Sequence, residues 1–458
     1  LLLYNQSKKY YPSQDSFIPT AYVGLVGRIT YDYKSRYLAE FNIGYNGSEN
    51  FSPEKRFGTF PAVSLGYILS EEKFMKNIKF LDFLKFRATL GLVGNDNMSS
   101  NRFLYLPDTY DVDKTGLDKT WGNNQWGYNF GKDNTTIIPG ALENRLGNRN
   151  VTWETSLKQN YGIDLKFLNN RMKVTFDYFI ENRKDILIAR KTIPAITAFT
   201  SSLLPVVNMG EVENKGYEVE IGWNDRIGEN LHYYINANVS YAKNKIIYQD
   251  EVEPNEPYLW RTGKQVGAVF GYVSDGFYND EDFDITTDSK GNKVYNLKEG
   301  MPVPQLNPLP GDVKFKDLNN DGRVDTDDQC EIGFSSRPNY TFGLNYGLDY
   351  KGLYFSMNWT GTAERSVILS QQFSDPFNGT LMQYQTEGIW RPETAETATA
   401  PRLSKDHANY NYSQSDLWVR NGSYLKLKNL TVGYNFTNKP ALKKIGISQL
   451  GIKFTGYN

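Results

Sequence analysis

Oxygen-bearing side chains recur along one acidic run, Asp317 to Asp328, at the spacing a calcium-binding loop uses. Asp317, Asn319 and Asp321 fall at its first, third and fifth places. Gly322 at the sixth permits a sharp turn, and Asp325 stands at the ninth. Arg323 at the seventh would offer its backbone carbonyl, Val324 at the eighth can anchor the loop inward, and Asp328 closes the set at the twelfth. Calcium takes roughly six to eight hard oxygens, and clustered carboxylates repel one another without a cation. Asp328 departs from the usual Glu, and its shorter arm weakens bidentate closure. No helical pattern flanks the run, so a complete helix–loop–helix calcium motif is not expected. Two readings stand side by side: a structural Ca2+ site, or an Asn/Asp/Gly-rich turn held by its own hydrogen bonds. Both order a loop; neither is catalytic.

A second chemistry-bearing set lies in other long polar stretches. Trp121, Trp126, Tyr128, Trp260 and Trp390 are loop aromatics among Asn and Asp residues. Flat rings stack on the C–H faces of sugars while amides bond to hydroxyls, so these five are candidate substrate contacts. The competing role for each is packing of its own loop. Catalytic signatures are missing from the sequence: it has no G-x-S-x-G elbow, phosphate-binding loop, paired Cys or H-E-x-x-H. A pair of glycosidase carboxylates far apart in sequence has no local signature, but the expectation is a protein that is not an enzyme. Cys330 has no partner for an internal disulfide and reads as an inert thiol, and His232 and His407 are the only histidines.

The elements that must carry these loops alternate strictly. Over residues 339–350, Phe342, Leu344, Tyr346, Leu348 and Tyr350 share one face, while Gly343, Asn345, Gly347 and Asp349 share the other. A tight turn at Lys351 and Gly352 leads into Leu353, Phe355, Met357 and Trp359, again on one face. The same period of two runs through residues 21–33, 36–46, 60–69, 84–92, 153–168, 171–181, 215–225, 231–245 and 424–437, with one more strand beginning at 449. About twelve strands result. Short turns alternate with long loops, the longest at 95–152, 246–338 and 363–423, so all the short connections fall at one end of the sheet. Residues 70–77 (SEEKFMKN) read as a short helix with a Ser cap and early acids. In residues 424–436 the apolar phase slips between Leu427 and Leu430, which predicts a bulge near Lys428 and Asn429.

Composition narrows the class. Mean hydropathy is −0.57 and no run approaches the roughly 18 apolar residues of a spanning helix. Barrel strands hide their apolar residues at every second position, so an antiparallel transmembrane β-barrel stays open. Aromatic residues make up 15% of the chain, with 33 Tyr, which suits rings placed at membrane–water boundaries. A net charge of −1 with Lys and Arg spread evenly gives no basic patch, so no nucleic acid partner is expected. Residues 1–20 lack the apolar core and cleavage site of an export leader.

The chain resembles the SusC/RagA family of TonB-dependent outer-membrane transporters. The resemblance rests on Pro310-Gly311-Asp312-Val313-Lys314, on the run from Asp317 to Asp325, and on Pro338-Asn339-Tyr340-Thr341-Phe342-Gly343. It continues at Gly27-Arg28-Ile29-Thr30-Tyr31-Asp32-Tyr33, Phe60-Pro61-Ala62-Val63-Ser64, Glu72-Lys73-Phe74-Met75, Lys85-Phe86-Arg87-Ala88 and Gly91-Leu92-Val93-Gly94-Asn95. Near the end, the segment from Tyr424 to Tyr434 matches again. The resemblance implies an all-β fold: residues 1–458 as part of a transmembrane barrel, about 12 of the family's roughly 22 strands, with short periplasmic turns and long extracellular loops. It further implies import of glycan or peptide oligomers across the outer membrane, energy from TonB, and a SusD-like surface lipoprotein over the long loops. The family's plug domain, TonB box, upstream strands and closing strand find no counterpart in these residues. An alternative is a calcium-ordered surface β-protein that binds glycans or mediates adhesion without transport. That alternative needs the apolar strand faces to meet a second sheet in a dry interior, whereas the barrel needs them to face outer-membrane lipid.

Overall fold

The computed structural model describes residues 1–11, 16–97, 102–107, 110–111, 127–130, 136–139, 142–143, 146–197, 204–370, 373–379, 382–437 and 440–458. Thirteen strands form one sheet in which each lies beside its neighbours in sequence. They are β1 (Leu2–Tyr11), β2 (Ser16–Tyr33), β3 (Tyr37–Ser48), β4 (Phe57–Ile68), β5 (Leu81–Asn95), β6 (Glu154–Phe167), β7 (Met172–Ile188), β8 (Val207–Ile227), β9 (Leu231–Tyr248), β10 (Tyr340–Tyr350), β11 (Leu353–Ala363), β12 (Tyr424–Thr437) and β13 (Gln449–Tyr457). The strand beyond the expected twelve is β1. Its sequence, LLYNQSKKYY, lacks a two-residue period, and it is held instead by antiparallel pairing with β2 from Leu2↔Gly27 to Lys9↔Thr20.

Connections sort as expected with one exception: eight residues, 49–56, join β3 to β4 at the long-loop end, while twelve, 69–80, join β4 to β5 at the short-turn end. Lys34 and Ser35 (φ 56° and 52°) turn β2 into β3, and Lys351 and Gly352 (φ 48° and 95°) turn β10 into β11. Such left-handed residues match the right-handed twist of the strands they join. The helix expected over residues 70–77 does not form. A single 3-10 turn, Leu69–Glu71, is followed by further tight turns, with Met75 N–H on the Glu72 carbonyl and Ile78 N–H on that of Met75. Eight residues without an apolar stripe cannot offset helix nucleation. The segment is fixed to the sheet through the Glu72 carboxylate, which accepts from Arg36 (3.3 Å), Tyr37 Oη (3.1 Å) and Tyr67 Oη (3.3 Å).

The chain divides into two compact units, one of Leu1–Lys166, Asp177–Lys215 and Ile246–Val252, the other of Phe167–Phe176, Gly216–Lys245 and Glu253–Asn458. In the first, the cross-strand rows Ile29↔Phe41 and Phe41↔Val63 place apolar side chains on one face, with Ile29 69% and Leu65 57% exposed. The opposite face carries Arg28 paired with Glu40, and Arg87 bridging Asp164 (2.8 Å) and Asp177 (3.0 Å). Tyr37 stacks on Tyr67 (5.1 Å) beside the short turns, and Tyr45 stacks on Phe57 (5.1 Å) towards the long loops. Eight residues separate Tyr37 from Tyr45, about 26 Å of strand, which spans an apolar band once tilted. In the second unit, Tyr241 packs on Tyr217 (5.5 Å) and Tyr340 (4.5 Å) at the same end relative to the loops. The predicted bulge is present: Asn358 pairs with Asn429 and Trp359 with Leu427, leaving Lys428 out. That one extra residue keeps Leu425, Leu427, Leu430, Val432 and Tyr434 on a common face.

Where the core sits decides between the two readings of the strands. Fourteen hydrophobic residues among those described are buried, from Phe51 to Trp418, and none lies in the thirteen strands. All are in the connections. No second sheet covers the apolar faces among the described residues, because the other ladders are short two-stranded pieces of the loops. Burying one large apolar side chain is worth about 1.5–3 kcal/mol, so leaving dozens in water is untenable. These faces suit lipid, and the dry interior required by a soluble surface protein is not found among the described residues.

Candidate functional site

In the second unit, the two longest described connections, residues 249–339 and 364–423, fold against each other from residue 253 onward into one assembly with its own core. Val313, Phe315 and Val324 are at its centre, with Tyr272, Phe277, Tyr410 and Leu417 packed around them. Ladders give it backbone. Ser274–Phe277 pairs with Val313–Phe315, Val269–Gly271 with Cys330–Gly333, and Ser366–Ile368 with Val419–Asn421. The two connections are sewn together directly. Tyr272 N–H donates to Gln414 O (3.0 Å), Asp416 N–H to Tyr272 O (3.1 Å) and Ser274 N–H to Asp416 Oδ1 (2.8 Å).

At the junction sits Asp312, fully buried. Its Oδ1 accepts from Arg402 Nε (2.8 Å) and Asn411 Nδ2 (2.9 Å), and its Oδ2 from His407 Nδ1 (2.6 Å) and Leu309 N–H (2.8 Å). A carboxylate buried without partners would cost several kcal/mol, and four donors with at least one formal positive charge remove that cost. Asn411 completes the seam by accepting Val313 N–H at 2.9 Å. Gly311 has φ 90°, and a Cβ there would lie 2.4 Å from the Trp390 ring, so only glycine lets that indole close over the turn. Burial and the neighbouring Asp282 push the Tyr278 phenol up to about 12, and burial pushes Tyr410 further still. Both stay neutral at any physiological pH. Three of the Asp312 partners lie 90, 95 and 99 residues away along the chain. The sequence reading missed them, since nothing local marks so distant a contact.

The acidic run is an ordered turn on this assembly. Asp317 accepts Asp321 N–H (3.3 Å) and Gly322 N–H (2.9 Å), Asn319 accepts Asp321 N–H (3.0 Å), and Asp321 accepts Arg323 N–H (2.8 Å). Asp325 Oδ1 accepts Asp327 N–H (2.8 Å). Asp328 is buried, with Leu318 N–H on one oxygen (2.7 Å) and Asp325 N–H on the other (2.8 Å). Among the described residues, no three His, Cys, Asp or Glu side chains converge as a metal-binding group.

Of the five candidate aromatic contacts, Trp121 and Trp126 lie outside the described residues. Tyr128 belongs to the short strand Gly127–Phe130, its side chain outside the described set. Trp260 is half-buried at the end of the 3-10 turn Pro257–Leu259. Trp390 is 8% exposed, with Nε1–H on Asn279 Oδ1 (3.1 Å), and it packs the assembly. Cys330 is half-buried, and desolvation followed by Asp416 and Glu331 pushes its thiol up, away from the reactive thiolate.

The comparisons agree with this arrangement. The family model described as TonB dependent receptor-like, beta-barrel matches residues 4–458. TonB-dependent receptor P39 of Formosa agariphila is 27% identical over 449 residues, covering 92% of this chain and 40% of that protein. TonB-dependent receptor SusC of Bacteroides thetaiotaomicron is 26% identical over 425 residues, covering 91% and 38%. The chain thus spans about two fifths of these relatives. Among solved structures, the RagAB peptide importer in its open-open state superposes with a TM-score of 0.69 at 19% identity, over 96% of this chain and 43% of that one. Its closed-closed state gives 0.67 at 19% identity, over 96% and 44%. Long two-faced strands, a core confined to the loops and a family match from end to end converge on one assignment: this chain belongs to the TonB-dependent receptor β-barrel family, as a SusC/RagA-type member.

Proposed function

We propose that this chain supplies barrel wall and outer loops to an importer of glycan or peptide oligomers, energised by TonB and served by a SusD-like lipoprotein seated over the long loops. Its outer-membrane location follows from the family. The observation that carries the transport reading is the segregation within the sheet: apolar side chains exposed on one face, and hydrogen-bonded polar ones on the other. A wall apolar outside and polar inside separates lipid from an aqueous lumen. The rigid loop assembly built on Asp312 offers a fixed platform for a capping partner. Deleting the full-length gene and screening growth on single polysaccharides and peptides tests the reading. Loss of growth on one oligomer, restored by the intact gene but not in a strain lacking TonB, is expected; unchanged growth on every oligomer overturns it.

The acidic loop enters the same reading as a structural calcium site. Its donors are all hard oxygens, which fits calcium, and Asp317, Asn319, Asp321, the Arg323 carbonyl and Asp325 would hold the ion. The ion would supply only charge compensation and loop order. Asp328 would have to serve it while keeping the N–H bonds of Leu318 and Asp325. Calorimetry on chelator-stripped protein is the check. Calcium at about a hundred times its dissociation constant should stabilise the loops by about 2.7 kcal/mol, and Asp317→Ala should abolish the gain. Identical melting with and without calcium leaves the turn held by its own hydrogen bonds. Trp121, Trp126, Tyr128 and Trp260 remain proposed as substrate contacts, whereas Trp390 is committed to packing.

A further inference from the structure

On the polar face of the second unit, four asparagines stand side by side on four consecutive strands. Asn236 of β9 pairs in register with Asn345 of β10, Asn345 with Asn358 of β11, and Asn358 with Asn429 of β12. Neighbouring strands lie about 4.8 Å apart, so the row crosses about 14 Å of wall. Asn358 Nδ2 donates to Asn345 Oδ1. Among the described residues Asn236, Asn429 and the adjacent Asn238 have no hydrogen-bond partner for their side chains, and Asn236 and Asn238 are exposed. Glycines make room for them: Asn238 Oδ1 lies 2.6 Å from where a Cβ on Gly343 would sit, and Asn236 Oδ1 lies 3.0 Å from one on Gly222. Asn236, Asn238 and Asn345 line a hollow of about 310 Å³ whose only charged members, Lys173 and Glu220, are opposite in sign.

We infer that this row of amides is a subsite on the inner wall for a neutral, hydroxyl-rich oligomer, an uncharged oligosaccharide in transit. Each amide both donates and accepts, as each hydroxyl does, so a sugar can exchange partners along the row without breaking an ion pair. A fixed charge would hold an ionic cargo and strand it, and the hollow carries no net charge to attract one. The repeat along the row is of the order of one sugar ring. This inference rests on the import reading above and adds to it the location and chemistry of an inner contact.

The test uses the full-length receptor with Asn236→Leu plus Asn238→Leu, and separately with both changed to Ser. Probes are labelled neutral oligosaccharides of glucose, fructose, xylose and mannose, with an acidic peptide as comparator. Outer-membrane assembly is followed by heat-modifiable mobility. The Leu pair should lower the maximal uptake of the imported oligosaccharide at least tenfold with its surface capture unchanged, and the Ser pair should recover much of the rate. Uptake equal to the parent in the Leu pair overturns the inference, as does uptake of the acidic peptide alone by the parent. A leak of large antibiotics through the Leu variant also overturns it, since the row would then seat another domain of the full-length protein. A parent that imports no oligomer under TonB control defeats the import reading itself, which separates the two failures.

Discussion

Asp312→Ala releases the two long loops from each other while leaving the strands paired. The substitution strips one buried carboxylate from four donors, and Arg402, only 23% exposed at its side chain, is left facing a void. Breaking a buried ion pair from one side costs about 3–5 kcal/mol, because the surviving charge loses its compensation. The Asn411 side chain then keeps only its bond from Val313, and Leu309 N–H and His407 Nδ1 lose their carboxylate acceptor. The loss falls on the loop assembly because every partner lies within residues 309–411. Hydrogen exchange on the full-length protein should show faster exchange at Tyr272, Ser274 and Asp416, whose amides close the seam. Amides of β2 and β3 should stay protected. Asp312→Asn keeps the shape but turns one acceptor into a donor against Arg402 or His407, so an intermediate loss is expected. Unchanged protection across the seam in both variants would mean that the apolar cluster around Phe315 holds the loops unaided.

How much of this was legible beforehand depends on the range of the forces involved. The strand faces and the bulge at Lys428 could be read because lipid and water alternate across a pleated sheet, writing the period of two into the sequence. Short turns were legible for the same local reason, since Lys351–Gly352 must adopt left-handed dihedrals. β1 was not, because LLYNQSKKYY carries no alternation and owes its place to β2. The helix expected over residues 70–77 failed because eight residues without an apolar stripe are too few to nucleate one. Glu72 is drawn instead to Arg36, Tyr37 and Tyr67, contacts that the segment's cap and early acids do not announce. Within the candidate site, the acidic run announced itself through i, i+2 spacing, whereas the Asp312 centre did not. Its first half stands in the recognisable Pro310-Gly311-Asp312 turn, but Arg402, His407 and Asn411 arrive through tertiary folding of a second loop. The asparagine row is similar: each residue occupies an ordinary polar position on its own strand, and only the register of four strands lines them up.

Phe41→Arg should block assembly of the receptor in the outer membrane, whereas Asn42→Arg, one residue on, should be tolerated. Phe41 lies midway between Tyr37 and Tyr45, and its cross-strand neighbours Ile29 and Val63 are apolar and exposed as it is. An arginine on the lipid face at mid-depth costs about 2–4 kcal/mol, falling towards zero near the interfaces. The Phe ring contributes nothing to any protein core, so almost the whole effect is transfer of charge into lipid rather than lost packing. Asn42 points the other way, beside Glu40, whose carboxylate accepts its amide at 2.7 Å. A guanidinium there shares the Glu40 carboxylate with Arg28, its cross-strand neighbour, and water on this face screens the two cations from each other. The measurement is the fraction of full-length protein with folded, heat-modifiable mobility in outer-membrane preparations. A tenfold or greater drop for Phe41→Arg with near-parental levels for Asn42→Arg fits a wall facing lipid. Equal assembly of the two would place both faces in water, and the exposed apolar side chains of β2, β3 and β4 would then need a protein partner to cover them.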